Sequence, residues 1–139
     1  MSESFDAVVI GAGQSGPFLA AKLAAAGRTV ALVEKRRLGG TCVNDGCIPT
    51  KTLVASARAA WVVRNAARWG VSVEGQVRVE VSAVKARKDA VVQASRDGLS
   101  KWLGSVAGLT LIDGHARFVD PHTVEVGELP FDGGGQGCG

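Results

Sequence analysis

An α/β fold organised on a parallel sheet is predicted by three features of the sequence. A short apolar run, Phe5 to Ile10 (FDAVVI), ends in glycine. A glycine-rich turn, Gly11 to Gly16, follows it and leads into the helix-forming stretch Phe18 to Ala26 (FLAAKLAAA). A second apolar run, Thr29 to Val33 (TVALV), ends at Glu34. Short continuous apolar runs suit strands covered on both faces. Strand, helix and strand within about 30 residues make a βαβ unit, whose strands are parallel and whose crossover is right-handed.

The remaining elements follow in order. Gly27 is placed as the left-handed stop of the first helix. Leu38 to Pro49 reads as a cysteine-bearing loop, and Thr50 to about Trp69 as a helix. Val71 to Val81 alternates apolar and polar residues around Gly75, which suggests a small hairpin or irregular strands. Val84, Lys88, Val91, Val92, Ser95, Leu99 and Trp102 recur at 3- and 4-residue spacings, the pattern of an amphipathic helix. Trp61, Trp69 and Trp102 lie among helix formers and read as packing residues. Leu109 to Ile112, Ala116 to Val119 and Thr123 to Val126 are short strands, the last two joined by a turn at Asp120-Pro121-His122. His115 and His122 flank turns far from the cysteines and read as surface or backbone-contact residues. The expected organisation is a domain portion over 1–128 and an irregular tail over 129–139. Phe131 to Gly139 (FDGGGQGCG) holds five glycines and no apolar pattern, so Cys138 reads as an incidental thiol.

Composition bounds the function. The chain has 139 residues, 46% apolar and 21% charged, with mean hydropathy +0.16, which excludes a disordered or collagen-like segment. The net charge of +3 is spread along the sequence, which does not favour nucleic acid as a partner. No apolar run approaches the ~20 residues of a membrane span, so no membrane role is expected. Met1 to Asp6 carries two acids and no basic region, unlike a signal peptide, and a cytoplasmic location is expected. Three cysteines are too few for a secreted disulfide scaffold.

Gly11, Gly13 and Gly16 form G-x-G-x-x-G between a strand and a helix. Gly11 allows the tight turn, Gly13 lets a pyrophosphate approach the backbone, and Gly16 lets helix and strand pack closely. The helix N-terminus offers N–H groups and a positive dipole end to phosphate. Glu34 ends the second strand 18 residues after Gly16, where an acid accepts hydrogen bonds from a ribose diol. Its charge opposes a ribose 2′-phosphate. Lys35, Arg36 and Arg37 follow as the counter-argument and read mainly as a solvated basic loop, with Lys35 kept among the cofactor-binding candidates.

Cys42 and Cys47 are separated by four residues in GGTCVNDGCIPTK. Such a pair can bind metal, form a structural disulfide or cycle between thiol and disulfide. A zinc site needs four ligands, and His115, His122 and Cys138 lie far off with no partner spacing. Cytoplasmic disulfides are rarely structural. Redox cycling fits best, helped by a helix N-terminus that lowers a thiol's pKa.

The stretch Gly39 to Lys51 resembles the active-site signature of the class I pyridine nucleotide-disulfide oxidoreductases, FAD flavoenzymes that include dihydrolipoamide dehydrogenase, glutathione reductase and mercuric reductase. The resemblance runs from the first strand to about Val126 in the family's order: glycine turn, acid, G-G-T-C-x-x-x-x-C, long helices, then G-x-A-x-F. It implies a Rossmann-like FAD-binding domain, here incomplete, with long helices and a small β-meander. By position, Gly11, Gly13 and Gly16 would hold the FAD pyrophosphate and Glu34 the adenosine ribose. Gly40 and Thr41 would contact the phosphates and ribityl region, and Lys51 the flavin ring. Gly114, His115 and Ala116 match the segment that meets the adenine, Ala116 foremost. Cys47 would face the flavin as the charge-transfer thiolate, and Cys42 would be the interchange thiol that attacks the substrate. Electrons would pass from NAD(P)H through the flavin to the Cys42–Cys47 disulfide, and on to a small disulfide or a metal ion.

GAGQSGPFLA and PTKTLVASA are most similar to the mercuric-reductase-like branch. Complete family members are homodimers several-fold longer than this chain. A second glycine fingerprint for the nicotinamide, the later strand whose acid holds the ribityl chain, and the His–Glu pair lent by the partner subunit are not within these 139 residues. The expectation is therefore an N-terminal fragment with one unpaired sheet edge, and turnover with NAD(P)H from this stretch alone is not expected. The alternative is a non-catalytic remnant that at most binds FAD.

Overall fold

The computed structural model describes residues 3–127. The expected tail over 129–139, with Cys138, lies outside the described residues. The chain divides into two compact units, one running to Arg37 and resuming at Leu103, the other comprising Leu38–Trp102.

The first unit is the α/β core. Strands β1 (Ala7–Ile10) and β2 (Val30–Glu34) flank helix α1 (Gly16–Ala25), and β3 (Leu109–Asp113) completes a parallel sheet of order β1-β2-β3. Val9 lies opposite Leu32, and Leu32 opposite Leu111. The central strand β2 is the core: Val30, Ala31, Leu32 and Val33 are all at most 1% exposed. β1 has an equally apolar sequence but occupies an edge among the described residues. Its burial alternates accordingly, with Val8 and Ile10 exposed, so the expectation of a fully buried first strand is corrected.

Helix α1 starts two residues before the expected stretch and buries Gly16, Pro17, Ala20 and Ala24. The spacing of Gly16, Ala20 and Ala24 sets one row of small side chains on one face. The larger Phe18 and Leu19 are exposed. Gly27 follows in the left-handed region, as expected. Of the three strands expected after the last helix, β3 joins the parallel sheet. β4 (His115–Asp120) and β5 (Thr123–Gly127) pair as an antiparallel hairpin, in which Arg117 and Glu125 form an exposed ion pair.

The second unit is helical. It holds α2 (Gly40–Asn44), α3 (Cys47–Arg64), a 3-10 turn (Ala66–Trp69) and α4 (Val81–Gly104), whose last two residues belong to the first unit. The cysteine segment, expected as a loop to Pro49, is thus largely helical, and α3 begins at Cys47 itself. Residues 71–80 form no strand, against the expected hairpin. Along α4 Val92 is buried and Val84, Lys88, Ser95, Leu99 and Trp102 are half-buried, as the amphipathic pattern predicts, but Val91, expected on the same face, is exposed. Trp61 and Trp69 are exposed, Trp69 by 75%, and so are not core residues. No helix among the described residues is long and apolar enough to cross a membrane.

Candidate functional site

The predicted site residues fall into two sets, one in each unit. In the first, Gly11 stands at the C-terminal end of β1 with φ +97° and donates its N–H to Val33 O at 2.7 Å. A Cβ on Gly16 would lie 2.0 Å from Gly11 O, so only glycine lets α1 start this close to the turn. A Cβ on Gly13 would meet nothing within 4 Å, which leaves that stretch of backbone open to an approaching group. Ser15, the N-cap of α1, makes no side-chain cap bond, and no acid lies in the helix's first turn. The positive end of the helix dipole therefore faces no carboxylate of its own first turn.

Glu34 does more than the sequence indicated. Its Oε2 accepts the Ala12 N–H at 2.7 Å, and its Oε1 accepts the Arg36 N–H at 2.8 Å. The carboxylate at the end of β2 thus holds the glycine turn at the end of β1. Each oxygen keeps lone-pair capacity for a further donor. Glu34 O accepts the Gly114 N–H at 2.9 Å, which brings the Gly114–Ala116 segment to the same end of the sheet. Gly114 has φ +152°, and a Cβ there would lie 2.6 Å from Val126 Cγ1. Ala116 is half-buried opposite Val126, whereas His115 and Lys35 are exposed.

In the second set, Gly39 adopts φ +90° and Gly40 φ +56° at the start of α2. Thr41 is exposed, and its carbonyl accepts the Asp45 N–H at 2.9 Å. Cys42 lies within α2 and Cys47 is the first residue of α3; both are free thiols. Cys42 is hydrogen-bonded to the Cys47 side chain and also receives the Cys47 backbone N–H. The side-chain bond is the foremost cause that pushes the Cys42 thiol above its ordinary value of 9.0; desolvation and the charge of Cys47 act the same way. The Cys47 N–H and the Lys51 ammonium oppose them. The expected lowering by a helix N-terminus is therefore not seen at Cys42, whose thiol is pushed up.

Asn44 was not singled out from the sequence. Its Nδ2 donates to Leu38 O at 3.0 Å and to Gly40 O at 2.8 Å, while its Oδ1 is buried with no partner among the described residues. An orphaned buried acceptor costs about 1–3 kcal/mol. The spacing G-x-x-x-N, Gly40 to Asn44, was the only available signal, and it does not predict a side-chain clamp. Farther along, Thr52 Oγ1 donates to Ile48 O, and Arg87 Nη1 on α4 donates to Thr52 O at 2.9 Å, fixing the first turns of α3. No cluster of potential metal ligands occurs among the described residues.

A G-x-G-x-x-G turn between strand and helix and two free cysteines separated by four residues are features of a class, the nucleotide-dependent dithiol oxidoreductases. The family model for pyridine nucleotide-disulphide oxidoreductases matches residues 5–133, and the chain belongs to that family. It is 43% identical over 131 residues to a dihydrolipoyl dehydrogenase of Chlamydia trachomatis, covering 94% of this chain and 28% of that protein. It is 41% identical over 131 residues to the dihydrolipoyl dehydrogenase of Chlamydia muridarum, again covering 94% and 28%. Among solved structures it resembles the Cu(II) complex of the HOCl-induced flavoprotein disulfide reductase RclA from Escherichia coli. That match has TM-score 0.75 and 34% identity, and covers 91% of this chain and 25% of that one. The chain thus spans little more than a quarter of the length of these relatives. Pyridine nucleotide stands in the family's description and flavoprotein in that of the solved relative, so both expected cofactors belong to this family.

The first unit fits such a cofactor on its own geometry: open backbone at Gly13, close approach at Gly16, and an acid at Glu34 with acceptor capacity to spare.

Proposed function

We propose that this chain is the FAD-binding, dithiol-bearing portion of an oxidoreductase in which electrons from NAD(P)H reach a Cys42–Cys47 disulfide and pass on to a small-molecule substrate. Bound FAD would supply two-electron transfer between nicotinamide and disulfide. Gly11, Gly13 and Gly16 would hold its pyrophosphate, Glu34 with Lys35 beside it the adenosine ribose, and Ala116 the adenine. Gly40, Thr41 and Lys51 would serve the phosphate, ribityl and ring portions. Cys42 would be the thiol that meets substrate, and Cys47 the thiol that faces the flavin.

The observation that carries this reading is the placement of two free thiols, Cys42 within α2 and Cys47 at the start of α3, close enough that Cys47 is the foremost influence on Cys42. A disulfide substrate is favoured over a mercuric ion because the relatives named above are dihydrolipoyl dehydrogenases and a disulfide reductase. A cytoplasmic homodimer belongs to the same proposal.

The test is the visible spectrum of the purified chain after mixing with FAD and desalting. Retained flavin bands near one equivalent are expected, with a long-wavelength shoulder once dithiol is added. A colourless protein overturns the reading for this chain.

One structural feature favours a second reading, a chain that binds FAD without turnover. Ligands in sheets of this kind sit where strand order reverses, and β1, which carries the glycine turn, has a neighbour on one side only among the described residues. Under that reading flavin is retained, but NAD(P)H is not consumed in the presence of a disulfide.

A further inference from the structure

The segment that carries Cys42 is too short to hold itself. α2 spans five residues, and a helix of one turn has no cooperative stability of its own. Two side chains hold it instead. Val43 packs over Gly39, where a Cβ would lie 2.4 Å from Val43 Cγ2. Asn44, the last residue of α2, donates from one amide nitrogen to Leu38 O and Gly40 O, just before and at the start of the same helix. Both acceptors are carbonyls, so the amide must turn its nitrogen towards them. Its Oδ1 is left buried and without a partner among the described residues. A side chain held at that cost is held for its two donors. Cys42 lies midway between Gly40 and Asn44, and its sulfur meets the Cys47 side chain and N–H. The amide therefore ties together the two ends of the turn that presents Cys42.

We propose that Asn44 is a positioning residue for the dithiol: by clamping α2 it holds Cys42 against Cys47 and stabilises their disulfide relative to the two thiols. The inference rests on the reading of Cys42 and Cys47 as a redox couple. Disulfide formation removes two protons and two electrons from the pair and makes one S–S bond. With glutathione disulfide as oxidant, that reagent's S–S bond breaks and two glutathione thiols leave. The equilibrium constant measures the effective concentration of one cysteine at the other, which the clamp raises.

The experiment equilibrates the full chain with glutathione buffers of graded ratio, traps free thiols by alkylation and weighs the tryptic peptide 38–51. That peptide carries both cysteines and excludes Cys138. Asn44→Asp keeps the volume but turns oxygen towards two carbonyls, and Asn44→Ala removes the amide. Each is expected to lower the disulfide equilibrium constant by about tenfold, or ~30 mV. Asn44→Ser keeps a donor able to reach back four residues, and is expected to fall between them and the unsubstituted chain. Asn65→Ala removes a chemically similar bond, Asn65 Nδ2 to Trp61 O, and should leave the equilibrium unchanged.

Asp and Ala variants that stay folded and lie within twofold of the unsubstituted chain overturn the proposal. Should neither fold, a Ser variant equal to the unsubstituted chain does so. An unsubstituted chain that forms no disulfide at any ratio overturns the redox reading itself, and this inference with it.

Discussion

The Cβ that Gly16 lacks would lie 2.0 Å from the carbonyl oxygen of Gly11. The contact is with backbone on a turn already held by Val33 O and by Glu34, so no flexible side chain can yield. Helix α1 can begin where it does only while residue 16 is glycine.

Gly16→Ala is therefore expected to destabilise the first unit by at least about 1–3 kcal/mol, the cost of overpacking. Gly13→Ala is the informative contrast, because nothing lies within 4 Å of its Cβ. It should unfold at the same temperature as the unsubstituted chain yet retain less FAD after desalting. Thermal unfolding followed by circular dichroism, paired with flavin absorbance, checks both.

Glu34→Gln replaces one carboxylate oxygen with an amide nitrogen that faces a backbone N–H of Ala12 or Arg36. The expected loss is about 1–3 kcal/mol, read from the urea midpoint, together with weaker FAD retention. A variant with full stability would mean that the carboxylate does not hold the turn.

How far the site could be read from sequence differs between these two positions. The glycine spacing and the acid at the end of β2 were legible because each answers to one local requirement. The bond from Ala12 N–H to Glu34 was not, because it joins the ends of two strands. The same limit explains β1 and β2, whose apolar runs look alike. Which of them is central depends on β3, more than seventy residues on. Cys42 reads as part of a loop because glycines flank α2, and the bonds of the Asn44 amide to Leu38 O and Gly40 O are contacts that propensity does not contain.

Alkylation of Cys42 should rise with a midpoint above pH 9.0, since its hydrogen bond to Cys47 favours the protonated thiol. Cys47→Ala removes the foremost cause and should bring that midpoint down. Lys51→Met removes an opposing charge and should move it further up. Because the folded value is raised, the associated stability is complete below about pH 9 and is lost as the pH rises through the folded value. Iodoacetamide rates against pH, read on the peptide 38–51, provide the measurement.

On α4, hydrogen bonds from Lys85 and then Lys88 lower Asp89 to about 2 from 3.8. The sign is opposite to that of Cys42. The contribution is present above pH 3.8 and is lost as the pH falls through about 2. An NMR titration of the Asp89 carboxyl should give that midpoint, and Lys85→Met should raise it.

The pairing of β2 with β3 joins Val30 to Leu109, 79 residues apart, whereas β1 meets β2 through a single helix. Everything between Glu34 and Leu109 must be made before the third strand exists. At about 5–20 residues per second, synthesis of that stretch takes roughly 4–15 s. Throughout that interval the nascent chain carries a strand of Val, Ala, Leu and Val with one side unpaired, while the intervening helices fold from local contacts. The ribosome's pace, as well as the native packing, thus decides how long this strand is open to another growing chain. Conditions that slow elongation across residues 35–108 should lower the yield of soluble protein.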